Sequence, residues 1–184
     1  MPLLPRAARA ALHFWEEPCI SGRGGSGTVF FSGCNLDCAF CQNCGVSHMG
    51  VGKPITYERL ADIFKELEEK GAENINLVTP SHYWHAVIRA LEIYKPDIPI
   101  VYNTGGYDTV NAVRALKGYI DIYLTDLKYL TADRAKIYSG AENYPEYAAA
   151  SIAEEYKQQP VCVFKNGIMQ KGLIIRHLLL PQGT

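Results

Sequence analysis

Four cysteines, Cys34, Cys38, Cys41 and Cys44, stand in the stretch FFSGCNLDCAFCQNCG with the spacing C-x3-C-x2-C-x2-C. Thiols this close together can bridge one another, hold zinc or carry an iron–sulfur cluster, and idle core cysteines are not spaced this way. Structural zinc usually takes its ligands as two pairs separated by a length of chain, which one tight loop fits poorly. Ferredoxin-type clusters use C-x2-C-x2-C with a distant fourth cysteine, and here the first gap is three. The residues alone leave zinc and iron–sulfur open. They also leave open whether four thiols bind or three.

The rest of the composition narrows the compartment and the partners. The chain has 184 residues, a net charge of −1 and 48% apolar content, enough to bury a core as one domain without disulfide staples. No basic face is signalled, so a nucleic-acid backbone is not the expected partner. No apolar run nears the roughly 18 residues of a membrane span. The start, MPLLPRAARAALHFWEEP, has the arginines of a targeting peptide, but its apolar part is broken by His13 and no cleavage pattern follows. The expectation is a cytoplasmic protein, where clustered thiols serve metal or redox chemistry.

The elements that must hold the loop alternate between strand and helix. Strands are expected near 28–32, 74–78, 98–103, 119–124 and 173–180. TYERLADIFKELEEKG aligns Leu60, Ile63, Phe64 and Leu67 on one helical face, with Thr56 as N-cap and Gly71 as stop. SHYWHAVIRALEIY, TVNAVRALKG (capped by Asp108), TADRAKIYS and PEYAAASIAEEYKQ follow as helices, and Asn166-Gly167 as a tight turn. This is an α/β pattern of βα units on a parallel sheet, and a full eight-strand barrel needs about 250 residues, so a partial barrel is expected. Gly22, Gly24 and Gly27 spell G-x-G-x-x-G, but before a strand rather than after one, which reads as a loop. Segments 1–27 (N-terminal segment and glycine-rich loop) and 28–184 (partial barrel) are the expected organisation. The run LLLPQGT after the last strand leads to the expectation of an incomplete chain or a partner covering the sheet flank.

C-x3-C-x2-C after the first strand of a βα series resembles the signature of the radical S-adenosylmethionine (SAM) superfamily. HFWEEPCISGRGGSGTVFFSGCNLDCAFCQN, NINLVTPSHY, IPIVYNTGGY, DIYLTDLKY and GLIIRHLLLP resemble its pyruvate formate-lyase activating-enzyme-like group over nearly the whole chain. The resemblance implies that Cys34, Cys38 and Cys41 bind three irons of a [4Fe–4S] cluster and that SAM chelates the fourth. One electron then cleaves SAM to methionine and a 5′-deoxyadenosyl radical, which abstracts a hydrogen atom. It also implies Phe40 near the adenine, Asn103 and Thr104 lining the SAM pocket, Asp126 and Lys128 on the ribose and carboxylate, and Arg176 on the carboxylate. VTPS replaces the usual glycine-rich acidic turn, leaving backbone carbonyls near Thr79 to take the amino group.

Each residue has a plainer reading beside this one. Phe40 packs in a core, Asn103 and Thr104 shape a turn, and Asp126 and Lys128 form a surface ion pair. Arg176, a charge within an apolar strand, needs a partner in any case. Cys44 is a bystander or a cap on the open iron, and Cys19 and Cys162 are single buried thiols. His82 and His85, three apart, lack a third ligand. The implied partners are a glycyl-radical enzyme or other protein substrate and an electron donor such as flavodoxin or ferredoxin. The competing reading is a non-catalytic iron–sulfur or zinc protein of electron-transfer or structural type.

Overall fold

The computed structural model describes residues 4–180. Residues 1–3 and 181–184, the outer ends of the two expected segments and the whole PQGT terminus, therefore lie outside the described residues. The strands are β1 (Arg6–His13), β2 (Ser26–Phe31), β3 (Lys53–Pro54), β4 (Ile75–Val78), β5 (Ile100–Thr104), β6 (Ile122–Asp126), β7 (Val163–Lys165) and β8 (Ile168–Arg176). The helices are α1 (Pro18–Ser21), α2 (Cys44–Ser47), α3 (Tyr57–Glu69), α4 (Trp84–Ile93), α5 (Val110–Ala115), α6 (Ala132–Ser139) and α7 (Tyr144–Gln158). They build an α/β fold around one open sheet of order β3-β1-β2-β4-β5-β6-β8-β7. β2, β4, β5, β6 and β8 run parallel and form a partial barrel; the other pairings are antiparallel.

The five parallel strands are those the sequence pattern points to, with one shift. The last runs over 168–176 rather than 173–180, because Asn166 and Gly167, both at positive φ (53° and 81°), turn β7 tightly into it. β1 was not expected. Its sequence RAARAALH has no β-branched or aromatic run, and its ladder with β2, from His13↔Ser26 to Ala7↔Phe31, overrides that weak propensity. The N-cap of α5 is Thr109, whose hydroxyl accepts from the Ala112 N–H, and not Asp108. Thr56 caps α3 as expected.

The two sheet faces have different cores. The outer face packs Val29, Ile75, Leu77, Ile100, Tyr102 and Tyr123 against α3, α4 and α5. The inner face is smaller: Val101, Ile122 and Leu124 meet Ile20 of α1 and Met169 of β8. The short helix α1 thus fills the inside of the half barrel from the strand starts. It leaves the strand ends to polar side chains.

A polar network is buried behind β5 and β6. Tyr102 Oη and Thr104 Oγ1 both donate to the Asp108 carboxylate, and Thr125 Oγ1 donates to Glu155 of α7 at 2.8 Å. Glu155 is fully buried and its other oxygen has no partner among the described residues. Burial, assisted by the Asp108 charge and opposed by the Thr125 hydrogen bond, pushes its carboxyl up to about 8 from 4.5. Both folded and unfolded chains are protonated below about 4.5, so stability is highest there with respect to this group. Between about 4.5 and 8 the unfolded chain sheds a proton that the folded chain keeps, and stability falls. Glu155→Gln should therefore lose less stability than the wild type between pH 5 and 8, by roughly a few kcal/mol. Urea denaturation at several pH values checks this, and equal slopes for both proteins would refute it.

Candidate functional site

The cysteine loop leaves the end of β2 and is fastened at several backbone points. Gly33 N–H donates to the Val46 carbonyl, Asp37 N–H to Ser139 and Ala39 N–H to Tyr138, the last two at the end of α6. His82 lies with Nε2 2.9 Å from the Ser32 carbonyl oxygen, just ahead of Cys34. Cys38 is buried, Cys34 and Cys41 are half-buried, and Cys44 is exposed at the start of α2. Cys38 Sγ accepts from Ser139 Oγ at 2.9 Å, Cys34 Sγ from the Leu36 N–H at 3.4 Å, and Cys41 Sγ lies 3.2 Å from Ser47 Oγ. Burial raises the pKa of Cys34 and Cys38 most, the neighbouring thiols raise it further, and the Lys128 ammonium pulls both down. Cys34, Cys38 and Cys41 thus pack into one cluster, and Lys128 acts on Cys34 and Cys38. A loop of three thiols held by backbone hydrogen bonds, beside a cation and with no histidine among them, fits the donor set of an iron–sulfur cluster.

The strand ends face this loop. Asp126 and Arg176 are register partners across β6 and β8, and Arg176 Nε donates to Asp126 Oδ1 at 2.8 Å. Lys128 Nζ sits 2.5 Å from Asp126 Oδ2, with both side chains largely buried, so this is not a surface ion pair. Arg176 NH2 donates to Asn103 Oδ1 at 2.8 Å. Asn103 and Thr104 are adjacent in β5 and point to opposite faces. Asn103 turns inward, whereas the Thr104 hydroxyl joins the outer network with Ser81 and Asp108. Thr79 follows β4 at φ 58°, a left-handed conformation unusual for a β-branched residue, and its N–H donates to the Asn103 carbonyl. Phe40 packs beside Tyr129, ring centroids 6.4 Å apart, in a cluster that includes Leu36 and Cys38.

One acidic residue was missed. Glu16, from the segment between β1 and α1, accepts from Arg176 NH1 at 2.9 Å, Asn76 Nδ2 at 2.9 Å and Asn103 Nδ2 at 2.8 Å. The signal was the acidic pair in HFWEEP, read only as part of a similarity and not as chemistry. Other expectations fall elsewhere. In the glycine-rich loop, Gly24 N–H donates to Glu73, a carboxylate standing where a phosphate-binding loop would hold its anion. His82 lies on a 3-10 turn against Tyr83, and His85 stands edge-on to Trp84. Among the described residues no three His, Cys, Asp or Glu side chains converge on one point as a single-ion site requires. Cys19 is half-buried, and Cys162 is exposed rather than buried because it lies in the turn ahead of the short edge strand β7.

A match to the radical SAM superfamily domain spans residues 28–170, from β2 into β8. The chain belongs to the radical SAM superfamily. Membership implies an enzyme, with SAM and a [4Fe–4S] cluster as the cofactors of the family. The radical SAM chain is similar to an uncharacterized protein of Methanocaldococcus jannaschii, 30% identical over 181 residues, 92% of this chain and 48% of that protein. It is also similar to a pyruvate formate-lyase-activating enzyme of Clostridium pasteurianum, 29% identical over 131 residues, 66% of this chain and 53% of that enzyme. The chain spans about half the length of the curated relatives it matches. Among the described residues no helix is long and apolar enough to cross a membrane.

The Thr79 backbone offers a direct test of strain at this strand end. A non-glycine residue in this region costs on the order of 1–3 kcal/mol. Thr79→Gly should raise the melting temperature by roughly 2–4 °C, with Thr79→Val giving no gain. A fall for the glycine variant would show that the threonine side chain, not the backbone, matters there.

Proposed function

We propose that Cys34, Cys38 and Cys41 hold a [4Fe–4S] cluster through three of its irons and that SAM takes the fourth. When bound, this group supplies one electron to the sulfonium of SAM and so releases methionine and a 5′-deoxyadenosyl radical for hydrogen-atom abstraction. The observation that carries the reading is that one loop packs Cys34, Cys38 and Cys41 into a single cluster, with Cys34 and Cys38 in the field of Lys128 at the strand end that also carries Asp126. Lys128 and Arg176 would meet the SAM carboxylate, and Asp126 the ribose. Asn103 would line the pocket from β5, and the Thr79 backbone would accept from the amino group. Thr104 acts from the other face by holding the β5 turn through its hydrogen bond from the Gly106 N–H. Phe40 would close the adenine side, since it already stands on the Tyr129 wall beside the loop.

The printed name of the clostridial relative supports a protein substrate, and we extend the reading to hydrogen abstraction from a glycyl-radical enzyme. A small electron-transfer protein, flavodoxin or ferredoxin, would deliver the electron, and the thiol-rich loop fits a reducing cytoplasm. The alternative reading, a passive iron–sulfur or zinc protein, has no use for a carboxylate-, amide- and guanidinium-lined mouth.

Anaerobic reconstitution tests the proposal. The wild type should bind about four irons, Cys34→Ala, Cys38→Ala and Cys41→Ala should each lose the cluster, and Cys44→Ala should keep it. The electron paramagnetic resonance of the reduced protein should change when SAM is added. Tightly held zinc, or a spectrum indifferent to SAM, would overturn the reading.

A further inference from the structure

We infer that Glu16 is a positioning residue that fixes Arg176 and Asn103 for recognition of the SAM carboxylate; this rests on the SAM site proposed above. Glu16 reaches the barrel interior from the segment just ahead of α1, whose Ile20 is packed among Val101, Ile122 and Leu124. The carboxylate therefore arrives on a fixed mount. Its side chain is only 12% exposed, and one oxygen accepts from Arg176 while the other accepts from Asn76 and Asn103.

The geometry around Arg176 shows what this mount does. Three of its five N–H groups are spent on Asp126, Glu16 and Asn103, on three different elements. The guanidinium plane is thereby set by three directions at once, and two N–H groups make no hydrogen bond among the described residues. A planar fork held this way can take a carboxylate without first losing rotamer freedom. Asn103 is oriented by the same carboxylate: its amide nitrogen gives to Glu16 and its oxygen receives from Arg176. The charges also balance, with Glu16 and Asp126 facing Arg176 and Lys128. Glu17, 3.8 Å from Arg176 and more exposed, adds a weaker contact.

Equilibrium binding of SAM and of its decarboxylated analogue to the anaerobically reconstituted protein tests this. Glu16→Gln keeps the shape and removes the charge. It should weaken SAM by about tenfold, the usual size of a supporting-residue effect, and leave the decarboxylated analogue within about twofold. Glu16→Asp, which restores the carboxylate on a shorter arm, should recover part of the loss. Parallel weakening of both ligands would mark a merely structural role and overturn the inference. So would unchanged SAM affinity, or tighter SAM binding, the result expected if Glu16 simply competes for Arg176. A wild type that binds neither ligand would instead bring down the SAM reading itself, a distinct outcome.

Discussion

The half barrel must keep a guanidinium charge that is only partly exposed, and the strand ends are organised around satisfying it. A partly buried cation without partners is costly, and removing one member of such a set leaves the others exposed to that cost. Arg176 is answered by Asp126 across the β6–β8 ladder, by Asn103 from β5 and by Glu16 from the N-terminal segment. These contacts tie β5, β6 and β8 to the segment that precedes α1. The inner face is consequently polar at the ends of β5, β6 and β8 and apolar at the starts of β5 and β6, while β2 and β4 carry buried Ser26, Thr28 and Asn76.

The shared direction of β5, β6 and β8 explains why the chemistry gathers at one end. The apolar group around Ile20, Val101 and Leu124 closes the lower interior. Above it, Asn103 comes from the end of β5, Asp126 and Lys128 from the end of β6 and Arg176 from the end of β8, and the cysteine loop arrives from β2 on the same side. Parallel strands place all their carboxyl ends together, so residues separated by a whole helical crossover in sequence become neighbours there.

Much of this was legible in the residues. The parallel strands were visible as apolar runs such as NINLV and IPIVY, and α3 by its 3.6-residue apolar stripe with Thr56 ahead of it. The loop cysteines stood out by spacing alone. β1 was not legible, because an alanine- and arginine-rich run gains its strand character only from pairing with β2. Glu16 was hidden for a related reason: a carboxylate before a short helix looks solvated until three distant donors converge on it. The opposed directions of Asn103 and Thr104 follow from the two-residue period of a strand, a simple rule that reading NTGGY as a turn obscured.

The fastening of the cysteine loop to α6 has a thermodynamic consequence. Asp37 and Ala39 hang their amides on carbonyls at the end of that helix, and Gly33 is tied to Val46. The backbone around the sulfurs is thereby tied to α2 and α6. A family cofactor bound in this loop would meet backbone already tied at three points, and less chain entropy would be lost in ordering it. Small zinc domains stand at the opposite extreme, where the ion and the fold come into being together.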